Sequence, residues 1–353
     1  MLLLFYICFI AVNSERKLIN IHIVGRHGDR TPLKSFPNDP YKHVWKEEGG
    51  LGVLTERGKT RMLKSGEELN SYYAEISTNL FNISNSFITS SNTNRTVESA
   101  KLFVSRMYKI QTLKDVHVHL VNPDALRAFD KQNCPEFYRI TKAIQRISYF
   151  EKQLNPFRKL QQYIQIITGD RSDDDLNSLS FLADYLFVVK EFHLPLPQYF
   201  TSNIFENLKN LHNIFMELFT FTDVQNKFLS GYVLHSIKNL FQKSANEENL
   251  ENGNNVVLYM THDFVLKSLL KYIGISINGN TEYGELLIFE LSTDVDTKEW
   301  YVGVKYKSGN SRIIRDVLFC GAQSQCALSQ FLENISGKTI NLSKFKEMCL
   351  GIK

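Results

Sequence analysis

Residues 26–32 of the chain read Arg-His-Gly-Asp-Arg-Thr-Pro, and they directly follow the apolar run Leu18–Val24. Arginine presents a planar fork of donors that matches phosphate oxygens and stays charged at ordinary pH. A histidine with a free ring lone pair is a nucleophile, and a glycine beside it lets the backbone turn tightly. Two arginines around His27 at the end of a predicted strand indicate a phosphate-binding loop rather than a solvated basic loop tip.

Two more segments follow the same order of strand, short loop and helix. Phe87–Ser90 precedes Arg95, and Val256–Met260 precedes Thr261–Asp263. Ligands of open α/β sheets bind outside the carboxyl ends of the strands, where helix N-termini also favour an anion. If the three strands are parallel neighbours, one crevice collects six polar side chains: Arg26, His27, Arg30, Arg95, His262 and Asp263.

This set of side chains suits the transfer of a phosphoryl group. The three arginines and His262 would hold the phosphate oxygens, which carry the charge of the transition state. His27 would attack phosphorus to give a phosphohistidine, and Asp263 would protonate the leaving oxygen and then activate water. Because Asp263 must carry a proton at the first step, we expect activity at roughly pH 4 to 6.

The His262–Asp263 pair has a second interpretation. An acidic residue in the first turn of a helix is a common structural feature that needs no catalytic role. Beside the loop that begins at Arg26, the catalytic interpretation is favoured.

Strand and helix patterns divide the chain into three blocks. Strands and helices alternate from Lys17 to about Val121, which is typical of an α/β layer. Residues 122–230 show apolar residues at helical spacing and no strand pattern. Strand patterns then return in three segments, the last two as an antiparallel pair: Val256–Met260, Glu285–Leu291 and Trp300–Tyr306.

These blocks predict an α/β fold with a mixed, mainly parallel sheet core flanked by helices. We assign the core to residues 15–121 and 231–353, and an inserted α-helical cap domain to residues 122–230. The length of 353 residues allows a large core, and 43 % hydrophobic with 22 % charged residues is ordinary globular composition. The formal net charge of +4 is spread along the chain, so we predict no nucleic-acid partner.

The N-terminus carries an unbroken apolar or aromatic run from Leu2 to Val12. The run is too short to span a bilayer comfortably, and a polar stretch follows it. We predict a secretory signal peptide at residues 1–14, removed near Ser14; an uncleaved anchor or a buried first strand is the alternative. No later stretch reaches about 18 unbroken apolar residues, so no membrane partner is expected after removal.

Cysteine usage agrees with secretion. Removal of Cys8 with the signal peptide leaves four cysteines, an even number suited to two disulfides in an oxidising compartment: Cys134, Cys320, Cys326 and Cys349. Sequence alone allows three pairings. The local pair Cys320 and Cys326 is favoured because only five residues separate them.

A metal site is not favoured. The chain contains no Cys-x-x-Cys pattern. His117 and His119 share one face of the strand predicted at Val116–Val121, but no third ligand stands at a suitable spacing. We therefore expect ordinary strand histidines, no metal and no cofactor.

Four sequons are present. Those at Asn82, Asn334 and Asn341 suit surface glycosylation of a secreted protein. The sequon at Asn94 lies beside Arg95 in the predicted crevice, where a glycan would block the ligand. We expect Asn94 to be unmodified.

The motifs resemble those of the histidine acid phosphatases, the acid phosphatase branch of the histidine phosphatase superfamily. Residues 26–32 resemble the family's first signature, Arg95-Thr96 followed by Ser99-Ala100 resembles its second arginine segment, and Thr261–Asp263 matches its His-Asp motif. The similarity extends from about Leu18 to Cys349. It implies a sheet core with a helical cap and the six residue roles given above.

The resemblance also implies the disulfides Cys134–Cys349 and Cys320–Cys326. The chain departs from the family pattern at Asn92 and Asn94, where relatives usually carry aspartates, and at Phe264–Val265, where threonines commonly stand. These positions belong to the lining of the pocket. They bear on the substrate and the rate more than on the reaction.

The predicted function is a secreted acid phosphatase that acts on small phosphomonoesters. A phytase or inositol-polyphosphate phosphatase is the alternative enzyme, and it would need extra cationic side chains from the helical lobe. The alternative outside the enzyme class is a secreted binding protein with the same fold and weak catalysis. The six filled catalytic positions speak against this alternative. A lysosomal location and a homodimer stay open.

Overall fold

The computed structural model describes residues 15–76, 82–170, 176–246, 255–275 and 281–351. The predicted signal peptide at residues 1–14 lies outside them. The strands of the described chain are β1 (Arg16–Arg26), β2 (Ser86–Ser90), β3 (His119–Leu120), β4 (Val256–Thr261), β5 (Leu286–Asp294), β6 (Trp300–Lys307), β7 (Arg315–Asp316) and β8 (Gln325–Ala327).

Helices surround the sheet and fill the chain between β3 and β4. They are α1 (Lys42–Glu47), α2 (Glu56–Ala74), α3 (Asn94–Met107), α4 (Pro135–Gln145), α5 (Ser148–Leu154), α6 (Phe157–Thr168), α7 (Asn177–Glu191), α8 (Ser202–Leu218), α9 (Asp223–Asn246), α10 (Asp263–Tyr272), α11 (Leu328–Asn334) and α12 (Leu342–Cys349). In the described parts of the chain, every helix is too short or too polar to cross a membrane.

The strands form one mixed sheet in the order β3-β2-β4-β1-β5-β6-β7, and β8 pairs with β6. β3, β2, β4 and β1 are parallel, whereas β5, β6 and β7 continue the sheet as antiparallel neighbours. The predicted α/β fold is confirmed, including the antiparallel pair β5 and β6. The parallel half brings the carboxyl ends of β2, β4 and β1 to one edge.

The strand predicted at Val116–Val121 is shorter in the structure. Only His119 and Leu120 pair with β2, and a 3₁₀ turn at Leu113–Asp115 precedes them. Both paired residues are exposed because β3 is the edge strand. An alternating sequence pattern therefore overstated the length of a strand that has a neighbour on one side alone.

Alternate residues of β1 face opposite sides of the sheet, as the two-residue period of a strand requires. Ile21 and Ile23 belong to a buried cluster with α2 and α3. Val24 belongs to a second cluster on the other face, with α9, α10 and α12. The sheet is thus covered on both faces, which explains why β1 and β4 are apolar along most of their length.

The helices between β3 and β4 build a third apolar cluster away from the sheet. It unites α5 to α8 and takes in Phe36 and Trp45 from the segment after the first motif. Gly169 ends α6 in the left-handed conformation, at φ 70°, as expected for a glycine after a helix. The division between cap and core stays a prediction; α9 runs unbroken through residue 230.

Two disulfides are present. Cys134, at the start of α4, is bonded to Cys349 at the end of α12, with a Cα–Cα distance of 4.5 Å. Cys320 is bonded to Cys326, with a Cα–Cα distance of 6.1 Å. The first bond ties the C-terminal helix to the beginning of the helical segment.

Candidate active site

The site begins where three parallel strands end side by side. Arg26 at the end of β1 is in register with Thr261 at the end of β4, and the His27 N–H donates to the Thr261 carbonyl at 3.1 Å. On the other side of β4, the Ser91 N–H donates to the Met260 carbonyl at 3.1 Å. The loops that follow β1 and β2 therefore start on either side of the loop that follows β4, at the same edge of the sheet, as the sequence predicted.

The loop after β1 is held in shape by its contact with the start of α2. A Cβ added to Gly28 would lie 2.5 Å from the Gly58 carbonyl oxygen, so neither residue can carry a side chain without backbone movement. The Thr55 hydroxyl donates to the Asp29 carbonyl at 3.1 Å and accepts from the Gly58 N–H at 3.1 Å. Close packing of two glycines, rather than a turn alone, is the structural reason for Gly28.

His27 has one ring nitrogen fixed and the other free to react. Its Nδ1 lies 2.8 Å from the carbonyl oxygen of Gly28, which can only accept, so Nδ1 carries the hydrogen. Nε2 then has the lone pair, and it accepts from Arg95 Nε at 3.2 Å. Burial, and next the charge of Arg95, lower the pKa of His27 well below its usual value. Burial and the neighbouring cations therefore favour the neutral imidazole.

Arg26 is held in place by three contacts. Its guanidinium pairs with Asp263 at 2.8 Å, donates to the Thr281 carbonyl at 2.5 Å, and lies 4.1 Å from the centre of the Tyr283 ring. Asp263 begins α10 and also accepts from the Phe264 N–H at 2.9 Å. The Arg26 guanidinium and the Asp263 carboxylate are thus fixed next to each other, at the end of β1 and the start of α10.

Arg30 is held from the helical segment. It forms two parallel bonds to Asp184 of α7, with Nη1 at 3.0 Å and Nη2 at 2.8 Å from the carboxylate oxygens. Burial lowers the pKa of Arg30, but the charge and hydrogen bonds of Asp184 outweigh burial and raise it overall. The pair is nearly inaccessible to solvent, so it ties α7 firmly to the first motif.

His262 lies against His27, with ring centroids 5.3 Å apart, and shares a hydrogen bond of 2.9 Å with the Ser91 hydroxyl. Burial, followed by the charge of Arg95, lowers the pKa of His262 well below its usual value. Burial, and next Arg30, lower the pKa of Arg95 to about 10, so this guanidinium stays charged in the acid range. The pocket therefore combines two neutral imidazoles with three cations.

All six residues predicted from the sequence meet in this pocket. Sequence reasoning missed Tyr283 and Asp184. Tyr283 stands just before β5, and because β5 is antiparallel to β1, the start of β5 must lie next to the end of β1. The sequence predicted β5 but not its pairing with β1. No local pattern marks Asp184, which reaches the pocket only through the packing of α7.

The arrangement can hold a phosphate and attack it. The guanidinium of Arg95 contacts His27 Nε2, and the charges of Arg26 and Arg30 also act on this histidine. The Asp263 carboxyl group, at the N-terminus of α10, lies against Arg26. In the described part of the chain, no group of three or more His, Cys, Asp or Glu side chains could hold a metal ion. The exposed rings of His117 and His119 are 4.5 Å apart, and the interpretation as ordinary strand histidines stays a prediction.

The predicted glycosylation sites are on the surface. Asn82, Asn334 and Asn341 are exposed, and so is Asn94 at the start of α3. Asn341 also caps α12 by accepting from the Lys344 N–H at 2.8 Å. Modification of the first three and its absence at Asn94 stay predictions.

The chain is similar to acid phosphatases in sequence and to a phytase in fold. The lysosomal acid phosphatase of Xenopus laevis is 25 % identical over 334 residues, which cover 90 % of this chain and 76 % of the relative. The prostatic acid phosphatase of Bos taurus is 23 % identical over 336 residues, which cover 91 % of this chain and 85 % of the relative. Among solved structures, the apo form of Hafnia alvei phytase has a TM-score of 0.66 at 16 % identity, over 95 % of this chain and 98 % of that one.

The family profile of the histidine phosphatase superfamily, branch 2, matches residues 17–306. The matched segment contains all six predicted site residues and the loop that carries Tyr283. The similarity to the phytase is a similarity of fold. The chain therefore belongs to branch 2 of the histidine phosphatase superfamily and is a phosphomonoester hydrolase.

Proposed function

We propose that this protein is a secreted acid phosphatase that hydrolyses small phosphomonoesters through a phosphohistidine at His27. The observation that carries the proposal is the state of His27. Its Nδ1 hydrogen is held by the Gly28 carbonyl, and its Nε2 lone pair points to Arg95. A neutral imidazole with its reactive nitrogen among arginines is what in-line attack on a phosphate monoester requires.

The first step forms an N–P bond and breaks the ester P–O bond. His27 Nε2 attacks phosphorus while the departing alkoxide takes a proton from Asp263. Arg26, Arg30 and Arg95 neutralise the charge that spreads over the three outer oxygens. The burial and close contacts of these arginines hold them in place before the substrate arrives, so little reorganisation is needed.

The second step releases phosphate. The Asp263 carboxylate, now without its proton, accepts a proton from a water molecule that attacks the phosphohistidine. The N–P bond breaks and the lone pair returns to His27 Nε2. Asp263 ends the cycle protonated, as it began.

We place the optimum at acid pH, at roughly pH 4 to 6, because the acid must be protonated while the nucleophile is neutral. The lowered pKa of His27 supports this placement. Nε2 therefore binds a proton, which would block its attack, only at a pH well below the usual pKa of a histidine.

Secretion rests on the predicted signal peptide, on the two disulfides and on the exposed sequons. Disulfides persist in oxidising compartments. N-terminal sequencing and glycosidase treatment of the protein from its own culture medium or tissue fluid are the direct tests.

The mechanism is tested by trapping the intermediate. Alkaline quench of the wild type with ³²P-labelled substrate should leave label on the protein that is stable to alkali and is lost on later treatment with acid, as a phosphoramidate requires. His27→Ala should form no such adduct and have no turnover. An alanine variant with undiminished activity would remove the proposal.

Asp263 has its own diagnostic. Asp263→Asn should slow the hydrolysis of alkyl phosphates far more than that of p-nitrophenyl phosphate, whose leaving group barely needs a proton. Equal loss on both substrates would assign Asp263 to binding and not to acid catalysis.

A further inference from the structure

A second cation lies beyond Asp263 on the same face of α10. The residues of α10 that are not fully buried are Asp263, Phe264, Lys267 and Lys271, which form one stripe along the helix. Side chains four residues apart on a helix have Cβ atoms about 5–6 Å apart. Lys267 is therefore the next polar side chain beyond the proposed acid, away from His27.

This stripe faces the end of α8. The Phe264 ring stacks on Phe219 with centroids 4.7 Å apart, and Lys271 Nζ donates to the Thr220 carbonyl at 2.6 Å. Lys267 stands between these two contacts, at the junction of α10 with the helical segment. A group that leaves the phosphate on the Asp263 side would lie at this junction.

Lys267 is the cation of the stripe that lacks a partner. Lys271 is bonded to a carbonyl, whereas Lys267 makes no hydrogen bond and no ion pair with any residue in the described ranges. It is only partly exposed, and burial lowers its pKa despite attraction from Glu217 and Asp263. A partly desolvated ammonium gains much from an anion that approaches it.

His212 lies on α8, on the other side of this junction. Its Nδ1 lies 3.5 Å from the Ser180 hydroxyl, and one turn further along α7 stands Asp184, the partner of Arg30. Burial lowers the pKa of His212, and Asp263 and then Asp184 are the charged groups that act on it most strongly. His212 is thus close to both carboxylates and offers a ring N–H donor.

We propose that Lys267 and His212 form a leaving-group subsite that binds a second anionic group on the substrate alcohol. The preferred substrates are then phosphate monoesters whose alcohol carries a carboxylate or a second phosphate near the ester oxygen. The inference rests on the proposed function, because the leaving group lies on the Asp263 side only if Asp263 is the acid that protonates it. The three arginines serve the transferring phosphoryl group, and Lys267 is left for a different anion.

The test compares three substrates with related leaving groups: phenyl phosphate, meta-carboxyphenyl phosphate and meta-phenylene bisphosphate. The readout is the ratio of kcat/KM for each anionic substrate to kcat/KM for phenyl phosphate. In Lys267→Met, this ratio should fall on the order of tenfold, as for loss of a hydrogen bond to a charged group. Lys267→Arg should retain the preference. The carboxylate and bisphosphate arms separate the two kinds of second anion.

The matched control is Lys271→Met, which removes a cation from the same stripe and should leave the ratio as in the wild type. An unchanged ratio in folded Lys267→Met, or an equal fall in both variants, overturns the subsite. If the methionine variant does not fold by circular dichroism, Lys267→Gln gives the same comparison. A wild type that hydrolyses none of the three substrates instead refutes the proposed function, and the inference with it.

Discussion

His22 provides a stability prediction that the structure makes quantitative. It lies on β1, four residues before Arg26, and is fully buried. Its Nδ1 is 3.2 Å from the Tyr259 hydroxyl, its ring meets Phe241 edge-on at 5.1 Å, and its Nε2 has no partner among the described residues. Burial lowers the pKa of His22 to about 3.

The sign of the effect is set by proton binding. In the unfolded chain a histidine has a pKa of about 6.5, so below this pH the unfolded state binds a proton that folded His22 refuses. The free energy of unfolding therefore decreases as the pH falls from about 6.5 towards 3. About pH 5 lies about 1.5 pH units below the pKa of the unfolded histidine, and each pH unit costs about 1.4 kcal/mol of the free energy of unfolding. The loss from His22 at this pH is therefore about 2 kcal/mol.

The perturbation is His22→Phe, which keeps an aromatic ring beside Phe241 and removes the titrating group. Urea unfolding of the wild type and the variant at about pH 8 and about pH 5 gives the two free energies. The decrease between these pH values should be smaller in the variant by about 2 kcal/mol. His43→Phe, at an exposed position, is the control and should show the wild-type dependence.

A variant whose stability depends on pH as steeply as that of the wild type would refute this reasoning. So would an NMR titration that finds the His22 ring protonated near pH 6. A confirmed effect would mean that the proposed working pH costs this protein part of its stability, because the unfolded state gains a proton that the buried histidine on the central strand does not bind.

Three further outcomes are expected. Arg95→Ala should lower kcat/KM roughly 10²-fold or more, as for loss of one preorganised donor, and Arg95→Lys should rescue it poorly because the fork is absent; wild-type kinetics in Arg95→Ala would exclude it from the site. Asp184→Asn should weaken vanadate binding and kcat/KM together, because Arg30 loses its charged anchor, and unchanged inhibition constants would contradict this. Reduction of Cys134–Cys349, which closes a loop with a sequence separation of 215, should lower the free energy of unfolding by about 5 kcal/mol in the chain-entropy account, and four free thiols in the denatured, unreduced protein would rule the bonds out.

Much of the catalytic centre could be predicted because its residues come directly after strands. A buried parallel strand has a distinct apolar pattern, and its carboxyl end has a known place in the sheet. Arg26, His27 and His262 each come within one or two residues of such an end. Their convergence therefore required only that β1 and β4 be parallel neighbours.

Residues outside that rule were found only in three dimensions. Tyr283 lies under Arg26 because β5 runs antiparallel beside β1, and the sequence predicted the strand without its neighbour. The extent of β3 was overestimated because alternation in sequence does not say whether a strand has one partner or two. Strand order is decided by packing over the whole sheet.

The amino-acid sequence by itself predicted the chemistry that we propose for this protein: which side chains attack, neutralise charge and donate protons, and that strand ends would present them. Only the tertiary structure decided the states and supports of these groups. The tautomer of His27 depends on the direction of the Gly28 carbonyl, and the anchor of Arg30 is Asp184, 154 residues away. Local patterns indicate which residues lie at the end of a strand, whereas long-range pairs depend on how helices pack, which no local pattern encodes.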